Sequence, residues 1–227
     1  MGISIAIDGP SGAGKSTVAR ALADKLGILH VNTGAMYRAL GIFVLRNGAN
    51  PADEAAVKPL LPLADITVAL RSGEQATFLN GEDVTARLGT QSVSDAASKV
   101  SSLPSVRQRL VALQRTIGTA CDVVMDGRDI GTVVLPDATL KVFLTASLDE
   151  RARRRHAELT AKGESVAFET VRADVAERDA RDERRACSPA VAAEDARVLD
   201  CSDMDAQAVV QQICGWLVER GETHGPA

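Results

Sequence analysis

Aromatic side chains are scarce in this 227-residue chain, which contains one tyrosine, one tryptophan and four phenylalanines. Proteins that hold single-stranded nucleic acid stack its bases on aromatic rings, so the scarcity disfavours that function. Duplex binding relies on a basic surface, whereas this chain carries a formal net charge of −4. We therefore expect no nucleic-acid polymer among its partners.

Cysteine pairs, zinc-ligand patterns and long apolar runs are missing as well. The four cysteines form no Cys-x-x-Cys pair, and the three histidines stand at no spacing typical of zinc ligands. Unpaired cysteines are usual in a reducing compartment. No apolar run approaches the ~18 residues that a membrane span needs, and the N-terminal residues lack the features of a signal peptide. We expect a cytoplasmic protein that binds no membrane and, without an evident apolar surface stripe, is a monomer.

Short apolar runs alternate with helical patterns along the chain, in which 45% of residues are hydrophobic. The runs that predict buried strands lie at 3–7, 28–31, 123–125, 140–144 and 197–199. Strands separated by helices are typical of an α/β fold, so we predict a three-layer arrangement around a parallel β-sheet core. The length favours a single domain.

Helical periodicity marks the segments between these strands. Helices are predicted from Ser16 to Gly27, at 36–45, and at 91–117 with a break near Pro104. A last helix is predicted to open with Ser202 and Asp205 as a capping pair and to stop at Gly221. Its apolar face comprises Val209, Ile213, Trp216 and Leu217.

Residues 65–85 have a different, strand-like character. Apolar and smaller residues alternate there, Ser72-Gly73 can form a turn, and Asn80-Gly81 is a strong two-residue hairpin signal. The pattern predicts a small antiparallel meander, which we interpret as an insertion because its neighbourhood is helical.

A phosphate-binding pattern follows the first predicted strand. It has the form G-x-x-x-x-G-K-[ST] and comprises Gly9, Pro10, Ser11, Gly12, Ala13, Gly14, Lys15, Ser16 and Thr17, here called the phosphate loop. Its glycines let backbone N–H groups converge on phosphate oxygens, and the following helix adds the positive end of its dipole. Lys15 would reach the outer phosphates of a nucleoside triphosphate, and the Ser16 hydroxyl would bind Mg²⁺. Asp126 ends a strand expected beside the loop, where it could hold the Mg²⁺ through water; Asp8 is similarly placed.

Three classes of nucleotide-using protein share such a loop: small-molecule kinases, regulatory GTPases, and motors or nucleic-acid ATPases. A GTPase usually carries Asn-Lys-x-Asp, but no asparagine here precedes a lysine. Motors and helicases tend to be larger and need a polymer track. A small kinase needs a second anion site built from arginines and a mobile cover that excludes water.

Segment 150–185 is a candidate for both the second anion site and the mobile cover, since it holds nine of the chain's 20 arginines. One interpretation is a solvated helix pair with Glu–Arg contacts, and the other is a functional cover. We interpret Arg151, Arg153 and Arg154 as residues of such a solvated helix pair. The arginines at 178, 181 and 185, together with Asp182, have the spacing of one helical face, on which the carboxylate could orient the guanidinium groups.

Four motifs together resemble those of the bacterial cytidylate kinase family over nearly the whole chain. They are Gly-Pro-Ser-Gly-Ala-Gly-Lys-Ser-Thr at 9–17, Asn-Thr-Gly-Ala-Met-Tyr-Arg at 32–38, Asp-Gly-Arg-Asp-Ile-Gly-Thr-Val-Val at 126–134, and the arginine-rich run at 178–185. The first motif alone is unspecific, whereas the set is specific. One departure is Asn32, which stands where many relatives have aspartate and cannot supply a carboxylate.

The resemblance implies ATP-dependent phosphorylation of CMP and dCMP with Mg²⁺ as cofactor. It implies a core at about 1–31, 90–149 and 186–227, an acceptor-binding insertion at 32–89 and a helical lid at 150–185. Carried over to this chain, the acceptor site comprises Thr33, Tyr37, Arg38, Ser98, Arg107, Arg128, Asp129, Arg178, Asp182 and Arg185. Lys15, Arg128, Arg178 and Arg185 are the expected catalytic residues. Alternatives that stay open are a kinase of another small acceptor, such as UMP or a sugar acid, and a non-catalytic nucleotide-dependent binding module.

Overall fold

A five-stranded parallel sheet forms the centre of the computed structural model, which describes residues 2–71, 73–161, 163–185 and 187–222. Its strands are β1 (Ser4–Asp8), β2 (Leu29–Asn32), β6 (Val123–Asp126), β7 (Leu140–Thr145) and β8 (Arg197–Asp200). Their order across the sheet is β2–β6–β1–β7–β8, and every neighbouring pair is parallel. The predicted strands are therefore confirmed, with ends that shift by one residue.

The carboxyl ends of three neighbouring strands meet at one edge of this sheet. Ile7 and Asn32 both pair in register with Asp126 of the central neighbour β6. Asp8, which ends β1, lies beside them. In open parallel sheets this edge is where ligands bind, because the connecting loops open there.

Helices cover both faces of the sheet and extend beyond it. They are α1 (Lys15–Leu26), α2 (Thr33–Arg46), α3 (Glu54–Val57), α4 (Gln91–Val100), α5 (Pro104–Ala120), α6 (Leu148–Ala161), α7 (Phe168–Glu183) and α8 (Ala206–Glu219). On one face, Val18 and Leu22 of α1 pack with Ile213 and Trp216 of α8. On the other face, Val111 of α5 packs with residues of β2 and β6. The three-layer α/β prediction is confirmed.

A second, antiparallel sheet lies in the segment predicted as a meander. Its strands are β3 (Ile66–Arg71), β4 (Glu74–Leu79) and β5 (Glu82–Asp83). Asn80 and Gly81 both have positive φ angles, of 49° and 80°, as a two-residue hairpin turn of the predicted kind requires. Ser72, predicted to turn, lies outside the described residues. Ile66 and Leu79 of this sheet join a core cluster with α2, α4 and α5.

Several helix ends differ from the predicted ones because side chains cap them. Helix α2 begins at Thr33, not at position 36, since the Asn32 side chain accepts a hydrogen bond from Ala35 N at 3.0 Å. The predicted capping pair of α8 was wrong: Asp205 alone caps the helix, through Ala208 N. The hydroxyl of Ser202 instead donates to Asp200.

Helix α7 ends two residues before Arg185, so the predicted four-residue helical face was wrong at that position. Arg185 still pairs with Asp182, which stands three residues earlier in α7. Along the described ranges, none of the helices combines the length and apolar character that a membrane crossing requires.

Candidate active site

The phosphate loop connects β1 to α1 with a sharply turned backbone. Gly9 has a φ of +144°, and a Cβ there would overlap the carbonyl oxygen of Leu144 on the adjacent β7. Gly14, with a φ of +88°, precedes the first residue of α1. The helix therefore starts at Lys15, and its free N–H groups face the loop as an anion site requires.

Carbonyl groups of the loop are held from its outer side. Ser11 O accepts a hydrogen bond from Arg151 Nη1 at 3.1 Å, and Ala13 O accepts from Arg154 Nη1 at 3.4 Å. The thiol of Cys201 also donates to Ala13 O, at 3.3 Å. With its carbonyls engaged there, the loop can direct the N–H groups that follow Ser11 inward.

These contacts correct one interpretation made from the sequence. Arg151 is buried and Arg154 is partly buried against the loop, so neither is a solvated surface residue. Both sit in the first turns of α6, where helical spacing brings them to the same side. Arg153, between them, is exposed and pairs with Glu150 as expected.

Ser16 and Asp126 meet at the sheet edge, as their places in the sequence predicted. Ser16 Oγ donates to Asp126 Oδ2 at 2.7 Å, and His30 Nε2 lies 2.8 Å from Asp126 Oδ1. Asn32 Nδ2 donates to Ser16 Oγ at 3.0 Å, which adds an amide to this group. Hydroxyl and carboxylate oxygens are ligands that Mg²⁺ prefers, so the pair fits that ion.

A metal held here would need further ligands from outside the chain. The described part of the chain contains no cluster of three or more histidine, cysteine, aspartate or glutamate side chains suited to a metal. Mg²⁺ is usually bound by one or two carboxylates together with substrate phosphates and water. The small donor set therefore fits an ion that arrives with a nucleotide.

The carboxylate of Asp8 is engaged in hydrogen bonds within the protein. Its two oxygens accept hydrogen bonds from Ile130 N at 2.8 Å and Gly131 N at 2.7 Å. Burial raises the pKa of Asp8 to about 6, against the opposing effect of these two backbone N–H groups. Asp8 thus anchors the turn that follows β6.

A cavity of about 570 Å³ opens beside the loop and brings most predicted site residues together. Of the phosphate loop it is lined by Ser11, Gly12, Gly14, Lys15, Ser16 and Thr17. Its other predicted lining residues are Thr33, Tyr37, Arg38, Arg107, Asp126, Arg128, Asp129, Arg178, Asp182 and Arg185. Gly9, Pro10, Ala13 and Ser98 do not line it.

Among the residues that line the cavity, a buried ion pair joins Arg107 to Asp129. Arg107 also donates to the backbone oxygen of Ser101 at 3.3 Å, and its guanidinium lies 5.9 Å from the ring centre of Tyr37. Burial raises the pKa of Tyr37 to about 12, so this hydroxyl stays protonated and can donate. These three residues thus offer the cavity both hydrogen-bond donors and acceptors beside an aromatic face.

A second group of lining residues is strongly cationic. Asp182 accepts from Arg128 Nε at 2.9 Å and pairs with Arg185; burial opposes its charge, but these arginines hold its pKa below the usual range. Burial and the neighbouring Arg128 lower the pKa of Arg178 to about 9, and Arg38 adds to this effect. A cation whose pKa is lowered by neighbouring cations is stabilised by an anion, so this region suits a phosphate group.

Lys15 belongs to the same electrostatic environment. Burial, followed by the charges of Arg128 and Arg178, holds its pKa well below the usual range of a lysine. Its ammonium donates to Pro10 O at 2.6 Å, across the loop. A polyphosphate beside Lys15 would restore the preference for the charged form.

Ser98 lies outside this cavity, on another side of α4. Its hydroxyl accepts from Arg181 Nη1 at 2.9 Å, so this arginine of α7 occupies it. Ser101, three residues on, lines the cavity and accepts from Arg185 Nη2 at 3.0 Å. Sequence reasoning missed Ser101, Arg154, Arg155 and Glu158 as lining residues. The signal for Ser101 was its spacing, since it follows Ala97 by one helical turn. Arg154 and Arg155 stand in a run of arginines, and the sequence does not show which side chains of such a run face a cavity.

A strand–loop–helix motif of the phosphate-binding kind and a group of arginines suited to a second anion share one cavity at the carboxyl edge of a parallel sheet. That combination defines the class of P-loop kinases of small anionic acceptors. Comparison with known proteins identifies the family. The sequence model described as Cytidylate kinase matches residues 5–218.

Relatives agree with that match over most of the chain. A cytidylate kinase of Pelotomaculum thermopropionicum is 49% identical over 211 residues, which cover 92% of this chain and 93% of the relative. One of Carboxydothermus hydrogenoformans is 50% identical over 209 residues, covering 92% and 94%. The chain belongs to the cytidylate kinase family. An uncharacterised protein of Eubacterium ventriosum, 16% identical, shares the fold with a TM-score of 0.53 over 95% of this chain and 98% of that one.

Proposed function

We propose that the protein transfers the γ-phosphoryl group of ATP to CMP and dCMP, giving CDP and dCDP. The observation that carries the proposal is the shared cavity, in which the phosphate loop, the arginine group and the Arg107–Asp129 pair lie side by side. The cytosine preference rests on the relatives, which are named cytidylate kinases.

At the ATP side, the loop amides and Lys15 hold the phosphates. Ser16 would hold Mg²⁺ directly and Asp126 through water, with His30 fixing the orientation of the Asp126 carboxylate. When bound, the ion neutralises charge on the phosphate oxygens and polarises the transferring group. Its presence at this site is part of the proposal.

At the acceptor side, Arg38, Arg128 and Arg178 would grip the phosphate of CMP. Asp129 would accept a hydrogen bond from the cytosine amino group, while Arg107 donates to the base edge. Thr33, Tyr37, Asp182 and Arg185 support these groups, through contacts such as the hydrogen bond from Thr33 Oγ1 to Asp126 O at 2.8 Å. Ser98 would join only if the base or a lid movement displaced Arg181.

The reaction is a direct in-line transfer. A bond forms between the γ-phosphorus and an oxygen of the CMP phosphate, and the bond from that phosphorus to the bridging oxygen breaks, releasing ADP. A phosphate monoester is already ionised near neutral pH, so no strong base is required. Catalysis is then alignment and charge neutralisation, of which alignment can contribute on the order of 7–11 kcal/mol.

Segment 150–185 acts as the lid in this proposal, and 32–89 as the acceptor-binding insertion on a core of 1–31, 90–149 and 186–227. Helices α6 and α7 supply Arg155, Arg178 and Asp182 to the cavity. Closure of such a segment excludes water, which would otherwise consume ATP. The monomeric state and the cytoplasmic location stay predictions.

An acceptor panel tests the function. ADP release is measured in a coupled assay with ATP and Mg²⁺ against CMP, dCMP, UMP, AMP and shikimate, with the Lys15→Ala variant as a control for contaminating activity. We expect CMP and dCMP to stimulate ADP release far above the acceptor-free rate. Greater stimulation by UMP or shikimate would assign another acceptor, and slow hydrolysis unaffected by any acceptor would indicate a binding module.

A further inference from the structure

Both polar groups of the Ser11 peptide in the phosphate loop are held by one ion pair from the lid. Arg151 Nη1 donates to Ser11 O at 3.1 Å, and Ser11 N donates to Asp179 Oδ1 at 3.3 Å. Arg151 and Asp179 also pair with each other, so the three residues form a closed ring of contacts. Arg151 belongs to α6 and Asp179 to α7, and the ring thus joins two helices to the loop.

This contact is well enclosed. The side chains of Arg151 and Asp179 are only 9% and 14% exposed, so salt screens their pairing much less than it screens a surface pair. The next loop residue fits closely as well, because a Cβ at Gly12 would come within 2.8 Å of the Arg151 backbone oxygen. Loop and α6 therefore have little freedom to shift independently.

Asp179 is also placed to affect the acceptor side. Its neighbour in sequence, Arg178, and Asp182 one turn along α7 both line the central cavity. A helix is a rigid element, so a movement of Asp179 with the loop when the ATP site is occupied would be passed on to these side chains. Arg178 is part of the proposed grip on the acceptor phosphate.

We propose that Arg151 and Asp179 are positioning residues that couple occupancy of the ATP site to the placement of Arg178 at the acceptor site. The inference rests on the proposed function, since it takes a nucleoside monophosphate as the acceptor. Neither residue touches the reacting atoms. Their effect is to make each substrate bind more tightly when the other is present.

Titration calorimetry on the full chain tests the coupling. CMP affinity is measured with and without a saturating non-hydrolysable ATP analogue and Mg²⁺, in the wild type, in Asp179→Asn and in the matched control Asp174→Asn on the exposed side of α7. In the wild type and the control we expect the analogue to tighten CMP binding about tenfold or more. In Asp179→Asn the gain should fall below about threefold, while CMP affinity without the analogue stays within about twofold.

Arg151→Lys is a second variant, because one ammonium cannot reach Ser11 O and Asp179 as a guanidinium does. This variant should also reduce the gain in CMP affinity that the ATP analogue produces. Three results would overturn the proposal. They are retained coupling in Asp179→Asn, an equal loss of coupling in Asp174→Asn, and a parallel fall of the unfolding temperature and of CMP affinity with and without the analogue. If the wild type neither binds nor phosphorylates CMP, the proposed function itself fails; binding and turnover without coupling overturn only this inference.

Discussion

At the scale of single residues, the main feature of the cavity is its concentration of cationic side chains. Burial and the charge of the neighbouring Arg128 lower the pKa values of Lys15, Arg38 and Arg178, and Asp182 compensates only part of that charge. A protein with a net charge of −4 can therefore bind anionic substrates, because charges beyond ~8 Å are largely screened.

Lys15→Ala should nearly abolish turnover, with a loss on the order of 10²–10³ in kcat or more, because the loop loses its phosphate-neutralising cation. The fold should remain intact, since the ammonium is surrounded by other cations. Steady-state kinetics and circular dichroism check both points. Lys25→Ala, an exposed lysine on the same helix, is the control. Near-normal activity in Lys15→Ala would remove the loop from the mechanism.

Asp129→Asn should reduce the preference for CMP over UMP, because the neutral amide is a weaker acceptor for the cytosine amino group than the carboxylate and adds N–H donors that suit the carbonyl oxygen of uracil. Asparagine is chosen over alanine, which would leave Arg107 buried and unpaired. We expect the ratio of kcat/KM values to fall about tenfold, with a smaller change in kcat at saturating CMP. Competition assays on CMP and UMP measure the ratio, and an unchanged ratio would disprove base recognition by Asp129.

At the scale of elements, positive φ angles have different consequences in different surroundings. Gly9 and Gly81 both have positive φ angles, but Gly9 faces Leu144 of β7 whereas nothing lies within 4 Å of a Cβ at Gly81. The hairpin thus needs glycine for its backbone alone, and the phosphate loop needs it for packing as well.

Gly81→Ala should lower the free energy of unfolding by roughly 1–2 kcal/mol, the cost of a left-handed conformation in a residue with a Cβ. Gly9→Ala should cost more, about 3 kcal/mol or above, because overlap with the β7 backbone is added to that strain. Urea unfolding of the two variants measures the difference. Equal losses would contradict the close approach of the loop to β7.

At the scale of the whole molecule, Asp8 connects parts of the chain that are more than 120 residues apart. It joins the end of β1 to the turn after β6, and so fixes two sides of the site together. Its raised pKa makes this connection sensitive to pH.

Asp8 should make the protein more stable as the pH falls from 7 toward 5. Since its folded pKa of about 6 exceeds the usual 3.8, the folded state takes up the proton first, and that contribution is lost as the pH rises through 6. The wild-type free energy of unfolding, minus that of Asp8→Asn, should increase toward low pH by at most about 1.4 kcal/mol per unit. Urea unfolding at pH 7, 6 and 5 tests this, and a constant difference would refute it.

Features that depend on neighbouring residues could be predicted from the sequence alone. The phosphate loop, the Asn80-Gly81 hairpin, the stop of α1 at Gly27 and the alternation of strands and helices follow from local conformational preference and hydrophobic period. The meeting of Ser16 and Asp126 could also be foreseen, because parallel strands end at the same edge of a sheet.

Tertiary structure alone decided which side chains face the cavity. Arg151 and Arg153 are two positions apart in one arginine run, yet one is buried against the loop and the other is exposed. Ser98 lies in α4 and Ser101 directly follows the end of that helix, yet only Ser101 opens into the cavity. The reason is physical: local sequence determines an element and its period, whereas the direction it faces depends on burial against distant parts of the chain.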